Sequence, residues 1–231
     1  MPTALITGTN RGLGLEFVRQ WAAAGWTLHA CCRDPAKATE LSRLAAGAGG
    51  RVTVHRLDVA DHAAIEALSR QLSGAALDLL LCNAGVYLDR GARFGSVDYQ
   101  AWAEALRVNV MGPMKLAEAF AEQVARSQRK LIVNVTSLMG SIGDNGRGGS
   151  YVYRSSKAAL NMVTKSLSID LAPRGVTACV IHPGWVRTDM GGPDGLLSIE
   201  ESVTSMRRVI EGAHQGGNGK FFDYDGEELP W

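Results

Sequence analysis

The sequence predicts one α/β domain with a doubly wound parallel sheet of about seven strands and helices on both faces. Short apolar runs alternate with helix-like segments along all 231 residues, as in repeated βαβ units. The runs are apolar almost without interruption, which is typical of parallel strands covered on both faces. Neither a linker nor an internal repeat divides the chain, so residues 1–231 are expected to form a single domain.

The predicted strands are short, mostly apolar and often β-branched, and many end at Gly, Asn, Asp or Pro. In chain order they are TALIT, WTLHACC, RVTVHRL, LDLLLC, KLIVNVT, VTACVI and GKFFDY. The first lies in MPTALITG, which has no basic region before a long apolar run and so indicates a buried strand rather than a signal peptide. No apolar stretch approaches the length that spans a membrane.

Helices are predicted between the strands, near residues 12–24, 35–46, 61–72, 98–125, 153–171 and 198–213, with a break inside the fourth. Asp34 and Pro35 form a typical helix start, with an N-cap acceptor followed by proline at the first helical position. Pro173 and Gly175 form a typical stop. The glycine-rich residues 143–149 are expected to form a loop between a strand and the next helix.

Composition and charge argue against several functions. Hydrophobic residues make up 46% of the chain and charged residues 20%, which indicates a sizeable core. The 24 basic and 23 acidic residues leave a net charge of +1, so nothing favours binding to nucleic acid or to an anionic membrane. The four cysteines form no C-x-x-C pair, and the five histidines have no metal-binding spacing. We therefore expect buried thiols, no metal site and a cytoplasmic location.

A glycine-rich turn, TGTNRGLG, follows the first predicted strand directly. Gly8, Gly12 and Gly14 stand where the chain turns into the first helix, whose free N–H groups can bind a phosphate. The G-x-x-x-G-x-G spacing differs from the general dinucleotide fingerprint, and a strand–turn–helix link needs glycine for steric reasons too. Its place in the first turn favours dinucleotide binding, with Asn10, Arg11 and Leu13 beside the glycines.

The end of the second strand, HACCRDP, indicates which dinucleotide binds. An acidic side chain there would bind a free ribose 2′-hydroxyl, whereas an arginine accepts a 2′-phosphate. Arg33 comes first, Asp34 has a competing role as a helix cap, and Arg11 is a second cation near the same place. The sequence therefore favours NADP(H) over NAD(H). The alternative for each arginine is a solvated surface charge.

Motifs further along complete a resemblance to the short-chain dehydrogenase/reductase family, which has a Rossmann fold. In order from residue 7 to about residue 190, the matches are T-G-x-x-x-G-x-G in the glycine turn, N-A-G at Asn83, Ala84 and Gly85, Asn109 in RVNVMGP, Ser137 in NVTSLMGS, Y-x-x-x-K at Tyr153 and Lys157, and P-G at Pro183 and Gly184. Finer features, SIGDNGRGGSYVYRSSK, HPGWVRTDMGG and FFDYDGEELPW, resemble the carbonyl reductases of the sniffer and C-factor branch. Two departures are Thr136, where many members have serine, and a long interval between Ser137 and Tyr153.

Helical geometry supports the pairing of Tyr153 with Lys157, because residues four apart share a helix face and Tyr151 is rotated away from it. A lysine charge about 5 Å from a phenol, at an effective dielectric of about 20, favours the phenolate by roughly 3 kcal/mol. This predicts a pKa for Tyr153 roughly two units below its usual value near 10. Taken alone, the tyrosine would be an ordinary helix-start aromatic and the lysine a solvated cation.

The resemblance implies roles for four catalytic side chains. NADPH would deliver hydride to a carbonyl carbon while Tyr153 gives its proton to the carbonyl oxygen. Ser137 would donate a hydrogen bond to that oxygen, an oxyanion-type contribution. Lys157 would lower the pKa of Tyr153 and hold the nicotinamide ribose, and Asn109 would anchor a water between Lys157 and solvent. The alternative for Ser137 and Asn109 is a local backbone cap.

The resemblance also implies further cofactor contacts. Asp58 would bind the adenine amino group, and Thr188 the nicotinamide amide or the pyrophosphate. The remaining positions are Val59, Asn83, Ala84, Gly85, Pro183, Gly184 and Val186, besides Tyr153 and Lys157 themselves. A turn cap is the alternative for Asp58, and a bridge between strands is the alternative for Asn83.

Together these features predict an NADPH-dependent carbonyl reductase that acts on a small-molecule ketone, aldehyde or quinone. An apolar substrate pocket with a short lid is expected from Val86, Tyr87, Trp185, Met190, Gly191, Gly192 and Gly195. By resemblance, the helices of residues 98–125 and 153–171 form a contact between copies, so a homodimer or homotetramer is expected. The alternatives are a non-catalytic NADP(H)-binding signalling or redox-sensing protein, and an isomerase or dehydratase on the same fold.

Overall fold

All seven strands belong to one sheet, and every pairing in it is parallel. The computed structural model describes residues 1–231, and the strand order is β3-β2-β1-β4-β5-β6-β7. The strands are β1 Thr3–Thr7, β2 Thr27–Cys32, β3 Val52–Arg56, β4 Leu79–Cys82, β5 Leu131–Val135, β6 Thr177–Ile181 and β7 Phe221–Phe222. The order reverses between β1 and β4, which opens a crevice at their carboxyl ends. The predicted doubly wound sheet is confirmed.

Helices cover both faces of the sheet and enclose two hydrophobic clusters. They are α1 Gly12–Ala23, α2 Thr39–Gly47, α3 His62–Gln71, α4 Tyr99–Leu106, α5 Gly112–Ala125, α6 Tyr151–Asp170 and α7 Ile199–Gly212. The larger cluster joins α1, α2 and α7 to one face, with Phe17 and Trp21 fully buried. The second joins α3, α5 and α6 to the other face around Phe120. No helix is both long enough and apolar enough to cross a membrane.

The predicted start of the second helix is wrong by four residues. Pro35–Lys37 form a single 3-10 turn, and α2 begins at Thr39. The carboxylate of Asp34 makes no cap hydrogen bond and pairs instead with the ammonium of Lys37, 3.2 Å away. Ala38, with φ −91° and ψ +60°, leaves the helical region and separates the turn from the helix.

The predicted break inside residues 98–125 is a π-helical turn, Arg107–Met111, between α4 and α5. Pro113, the second residue of α5, has no N–H to donate to the carbonyl of Asn109, so the α-helical hydrogen-bond pattern is interrupted there. A π turn of this kind is often found at functional positions. Asn109 therefore lies at the one irregular turn of an otherwise continuous helix.

Helix α6 begins two residues earlier than predicted, at Tyr151, after three successive residues with positive φ. Its end agrees with the predicted stop, since a 3-10 turn, Ala172–Arg174, is followed by Gly175 with φ +72°. The last strand is shorter than predicted, because only Phe221 and Phe222 of GKFFDY pair with β6.

Candidate active site

A cavity of about 1110 Å³ opens at the carboxyl ends of the central strands, at the reversal of strand order. Most of the predicted site residues line it: Gly8, Asn10, Arg11, Gly12, Leu13, Gly14, Arg33, Asp58, Val59, Asn83, Ala84, Gly85, Tyr153, Lys157, Pro183 and Thr188. Four others do not line it, namely Asn109, Ser137, Gly184 and Val186. Gly184 packs against Leu197 and Tyr224, and buried Val186 pairs with Leu197.

The glycine turn has features of both predicted roles, which are room for a phosphate and tight packing between strand and helix. Gly8 and Gly12 have φ of +71° and +57°, the left-handed region that favours glycine. A Cβ on Gly14 would lie 2.1 Å from the carbonyl oxygen of Gly8, so this glycine is required by close packing. Helix α1 begins at Gly12, and the Arg11 side chain makes no cap hydrogen bond. The first N–H groups of α1 are thus available to a phosphate.

The Asn83 side chain bridges β4 and β1. Its Nδ2 donates to the carbonyl oxygens of Thr7 at 2.9 Å and Gly8 at 3.2 Å. The Thr7 hydroxyl in turn accepts from the backbone N–H groups of Asn83 and Ala84. A Cβ on Gly85 would lie 3.3 Å from Asn109 Oδ1 and 3.6 Å from Lys157 Nζ, so this glycine lets the cavity floor approach both side chains.

Positive charge collects at the end of β2, where the sequence predicts a 2′-phosphate site. Arg33 is exposed, lines the cavity and has no carboxylate partner. Arg11 also lines the cavity and pairs with Asp189 at 3.0 Å. Lys37, which the sequence did not single out, also lines the cavity and pairs with Asp34. This ion pair lowers the pKa of Asp34, whose charge Lys37 offsets.

Asp58, which is predicted to bind adenine, lines the cavity and also caps a turn. Its Oδ1 accepts from the N–H of Ala60 at 3.0 Å. Its second carboxylate oxygen makes no hydrogen bond and Asp58 remains exposed, so the turn cap and a ligand contact are compatible. Val59 beside it is buried, lines the cavity and belongs to the hydrophobic cluster around Phe120.

Tyr153 stands in the first turn of α6 with only 7% of its surface exposed. Its ring stacks on the ring of Tyr87, with centroids 4.2 Å apart and an interplanar angle of 20°. Its hydroxyl lies 3.9 Å from the sulfur of Met190. Burial raises the pKa of Tyr153 to about 12, and the Ser137 hydroxyl opposes this rise with a smaller effect.

Lys157 lies one turn further along α6 and is 5% exposed. Its Nζ donates to the carbonyl oxygen of Val135 at 2.9 Å and lies 5.7 Å from the centroid of the Tyr153 ring. No carboxylate pairs with it, and burial lowers the pKa of Lys157 to about 8. The predicted lowering of the Tyr153 pKa is therefore absent here, because desolvation of the phenolate outweighs the attraction of an ammonium turned towards Val135.

Ser137 is buried just after β5 and caps the short 3-10 turn Leu138–Gly140. Its Oγ accepts from the N–H of Met139 at 3.1 Å. Accepting this bond leaves its O–H free to donate, and the hydroxyl lies close enough to Tyr153 to affect the pKa of that phenol. The local cap and a donor role towards the cavity are compatible in one side chain.

The Asn109 amide makes three hydrogen bonds inside the protein. Its Oδ1 accepts from the N–H of Val86 at 2.8 Å, and its Nδ2 donates to the carbonyl of Val86 at 2.9 Å and to Ser156 Oγ at 3.0 Å. The side chain is completely buried. It therefore joins the π turn, the segment after β4 and α6, while its Oδ1 keeps one lone pair that no protein group uses.

The segment after β6 closes over one side of the cavity. The Trp185 indole N–H donates to the carbonyl of Gly191 at 2.8 Å, and the Arg90 guanidinium donates to the carbonyl of Met190. A Cβ on Gly191 would lie 1.9 Å from the carbonyl oxygen of Val186. The glycines predicted to give a mobile lid thus include at least one that tight packing requires.

The sequence did not predict a role for three residues beside the site. Lys37 lines the cavity from the 3-10 turn Pro35–Lys37, where the sequence predicts the start of a helix. Gly140 packs against the backbone of Lys157, since a Cβ there would lie 2.8 Å from Lys157 Cβ. Asp89 binds the start of α6 from a distant loop. Only Lys37 had a detectable signal, as a third basic residue close to Arg33.

Comparisons with known proteins agree with this geometry. Residues 2–195 match the short chain dehydrogenase family. C-signal from Myxococcus xanthus is 44% identical over 155 residues, which cover 67% of this chain and 93% of that protein.

Two solved structures share the whole fold. The carbonyl reductase Sniffer of D. melanogaster is 36% identical with a TM-score of 0.93, and the match covers 100% of both chains. The NADPH-bound carbonyl reductase from chicken fatty liver is 32% identical with a TM-score of 0.92, covering 100% of this chain and 99% of that one. These matches confirm the predicted resemblance to the sniffer and C-factor branch. This chain belongs to the short-chain dehydrogenase family.

Proposed function

We propose that this oxidoreductase uses NADPH to reduce a ketone, aldehyde or quinone carbonyl to an alcohol, with Tyr153 as the proton donor. The observation that carries the proposal is the meeting of Tyr153 and Lys157, which line the large cavity, with the Ser137 hydroxyl close to the Tyr153 phenol. A nearly buried phenol and a nearly buried ammonium without a carboxylate partner are costly to fold, and perturbed groups of this kind cluster at functional sites.

The residues at the cavity fit NADP(H). Free N–H groups at the start of α1 suit a pyrophosphate, and Gly8 and Gly12 leave the backbone open to it. Arg33, with Arg11 and Lys37 nearby, suits a 2′-phosphate. The NADPH held by the similar chicken reductase supports the same choice for this chain. When bound, NADPH supplies the hydride.

Tyr153 is suited to give a proton rather than to take one in the resting protein. With a pKa of about 12, its phenol keeps the proton throughout the neutral range. Ser137, with a free O–H, would orient the carbonyl oxygen that receives this proton. Phenolate forming as the proton leaves is stabilised by any cation nearby, and Lys157 is the protein cation closest to the ring.

Lys157 has a second proposed role at the same place. Its Nζ holds only the Val135 carbonyl, so it retains donors that can bind ribose hydroxyls above Gly85. Asn109 acts indirectly, because its amide fixes Val86 and Ser156 around this lysine. The packing of Gly140 against Lys157 sets the distance between α6 and the end of β5.

The walls around the Tyr153 hydroxyl favour small or flat substrates. Tyr87 covers one face of the phenol and Met190 approaches its oxygen, while half-exposed Trp185 donates to the carbonyl of Gly191, next to Met190. We propose aromatic ketones and quinones as the preferred class. An enzyme that ignores both and turns over a bulky steroid ketone would refute this preference.

A second candidate function is a non-catalytic NADP(H)-binding protein that signals or senses redox state. The similarity to a protein named C-signal favours it. The intact set of Ser137, Tyr153 and Lys157 argues against it, because binding alone requires no acid–base group.

One experiment separates the two candidates. Purified protein is titrated with NADPH by fluorescence and then assayed with a panel of ketones, aldehydes and quinones, following loss of NADPH absorbance. We expect tight NADPH binding and turnover of at least one member of the panel. NADPH binding without turnover of any member would support the sensor instead, and failure to bind NADPH would contradict both candidates.

A further inference from the structure

The helix that carries Tyr153 has an unusual start. Gly148, Gly149 and Ser150 all have left-handed φ, of 59°, 66° and 46°. Ser150 is one of only two non-glycine residues with positive φ, a conformation that L side chains adopt at a cost. Although Ser150 occupies the N-cap position, its side chain makes no cap hydrogen bond. The first turn of α6 must therefore be capped by another group.

That group is the carboxylate of Asp89, from the loop after β4. Its Oδ2 accepts from the N–H of Val152 at 2.8 Å, and its Oδ1 accepts from the N–H of Tyr153 at 3.1 Å. Asp89 is only 7% exposed. An anion at a helix N-terminus is stabilised by the helix dipole and by charge-assisted hydrogen bonds. Both oxygens of this buried side chain are thus committed to the turn that holds Tyr153.

The same loop also contacts the ring of Tyr153 and the residue that precedes α6. Tyr87 stacks on the Tyr153 ring, and its hydroxyl lies 2.7 Å from Ser150 Oγ. The N–H of Ser150 donates to the carbonyl of Ala92 at 3.0 Å. Residues 87–92 therefore hold the backbone of Tyr153 through Asp89, its ring through Tyr87, and the preceding strained residue through Ala92.

We propose that Asp89 is a positioning residue for the reduction, which fixes the first turn of α6 and so the place of the Tyr153 hydroxyl relative to Ser137 and Lys157. The proposal rests on the proposed function, in which Tyr153 donates the proton. Displacing a reacting group by about 1 Å can lower a rate on the order of 100-fold, so a loose first turn would act on catalysis directly.

The test compares Asp89→Asn with a matched control, Asp98→Asn. Asn keeps the shape of Asp but replaces one acceptor oxygen by an NH₂ group, which cannot accept from a backbone N–H. Asp98 caps α4 through one oxygen, since its Oδ1 accepts from both Gln100 N–H at 2.8 Å and Ala101 N–H at 3.1 Å. Asp98→Asn therefore keeps both hydrogen bonds and loses only the charge, so it controls for the loss of a negative charge at a helix start.

We expect Asp89→Asn to lower kcat on the order of 10- to 100-fold, with the NADPH dissociation constant unchanged, and Asp98→Asn to keep kcat within about twofold. Hydrogen exchange of residues 150–156 should become faster only in the Asp89 variant. This second measurement does not depend on turnover. Assays are run well below the melting temperature of each variant, so that unfolding does not contribute.

Equal kcat for the two variants would overturn the proposal, and so would an equal loss of kcat and of NADPH affinity in Asp89→Asn, which would indicate general damage. If the proposed function itself is wrong, the result will differ: the wild-type protein will reduce no carbonyl, or Tyr153→Phe will remain active. An active wild type, an inactive Tyr153→Phe and an unaffected Asp89→Asn would refute only the role of Asp89.

Discussion

Burial shifts the protonation of Tyr153 and Lys157 in opposite directions, because it disfavours the charged form of each. The pKa of the phenol rises to about 12 and that of the ammonium falls to about 8. The spacing of the two residues predicts their common helix face, but not that the ammonium donates to Val135. Residue spacing indicates which groups meet, whereas the pKa depends on how much water the fold removes around them.

This shift makes the stability of the protein depend on pH in a defined direction. The pKa of Lys157 is about 8 in the folded chain against a usual 10.5, so below pH 8 both folded and unfolded states carry the proton and the cost of burying the charge is constant. Between pH 8 and pH 10.5 the unfolded state binds more protons than the folded state, so the wild-type chain gains stability as the pH rises. Lys157→Met has no such titration.

We therefore expect the free energy of unfolding of the wild type to rise relative to that of Lys157→Met between pH 8 and pH 10.5. Urea denaturation of both proteins across this range measures the difference. The Val135 carbonyl that loses its partner shifts the variant by the same amount at every pH. A difference between the two proteins that does not change with pH would contradict the burial of a charged Lys157.

Arg33 decides the cofactor preference in our proposal. We expect Arg33→Asp to weaken NADPH binding by about 10- to 100-fold, the range for losing a hydrogen bond to a charged group, with a much smaller effect on NADH. Fluorescence titration with both cofactors measures the ratio, and Arg208→Asp, an exposed arginine on α7, is the control for charge reversal. An unchanged ratio in Arg33→Asp would refute the assignment.

At the scale of elements, the alternation of strands and helices could be predicted from the sequence, but several helix starts could not. The start of α2 was misplaced because proline and aspartate form a 3-10 turn there as readily as a helix start. The start of α6 was misplaced because Ser150 has a left-handed backbone that no local signal indicates. That conformation depends on Asp89 and Ala92, which lie about sixty residues away in the chain.

Helix α6 also presents an apolar side to solvent. Met162 and Ile169 are two turns apart and largely exposed, and Met111 is exposed at the π turn. We propose that this side forms the contact between copies in a homodimer or homotetramer. The double variant Met162→Glu with Ile169→Glu is expected to reduce the molar mass measured by light scattering to that of a monomer. An unchanged oligomeric mass, or a monomeric wild type, would contradict the proposed contact.

At the scale of the whole molecule, the sheet order brings together residues that are distant in the chain. Right-handed βαβ connections and an early glycine turn are enough to predict that β1 is an inner strand, as found beside the central β4, and that ligands bind at the carboxyl ends. They do not predict which side chains the loops bring to that edge, and Asp89 and Lys37 were missed for this reason.

The central claim is that Tyr153, rather than any neighbouring tyrosine, donates the proton. It is tested most directly by comparing kcat/KM of Tyr153→Phe and Tyr151→Phe with the same carbonyl substrate, with NADPH affinity measured for both. Tyr151 is half-exposed, lies outside the cavity and is otherwise a matched control in the same turn of α6. We predict a loss of about 10²- to 10⁴-fold in Tyr153→Phe only, with NADPH binding retained. Equal activity of the two variants would contradict the account.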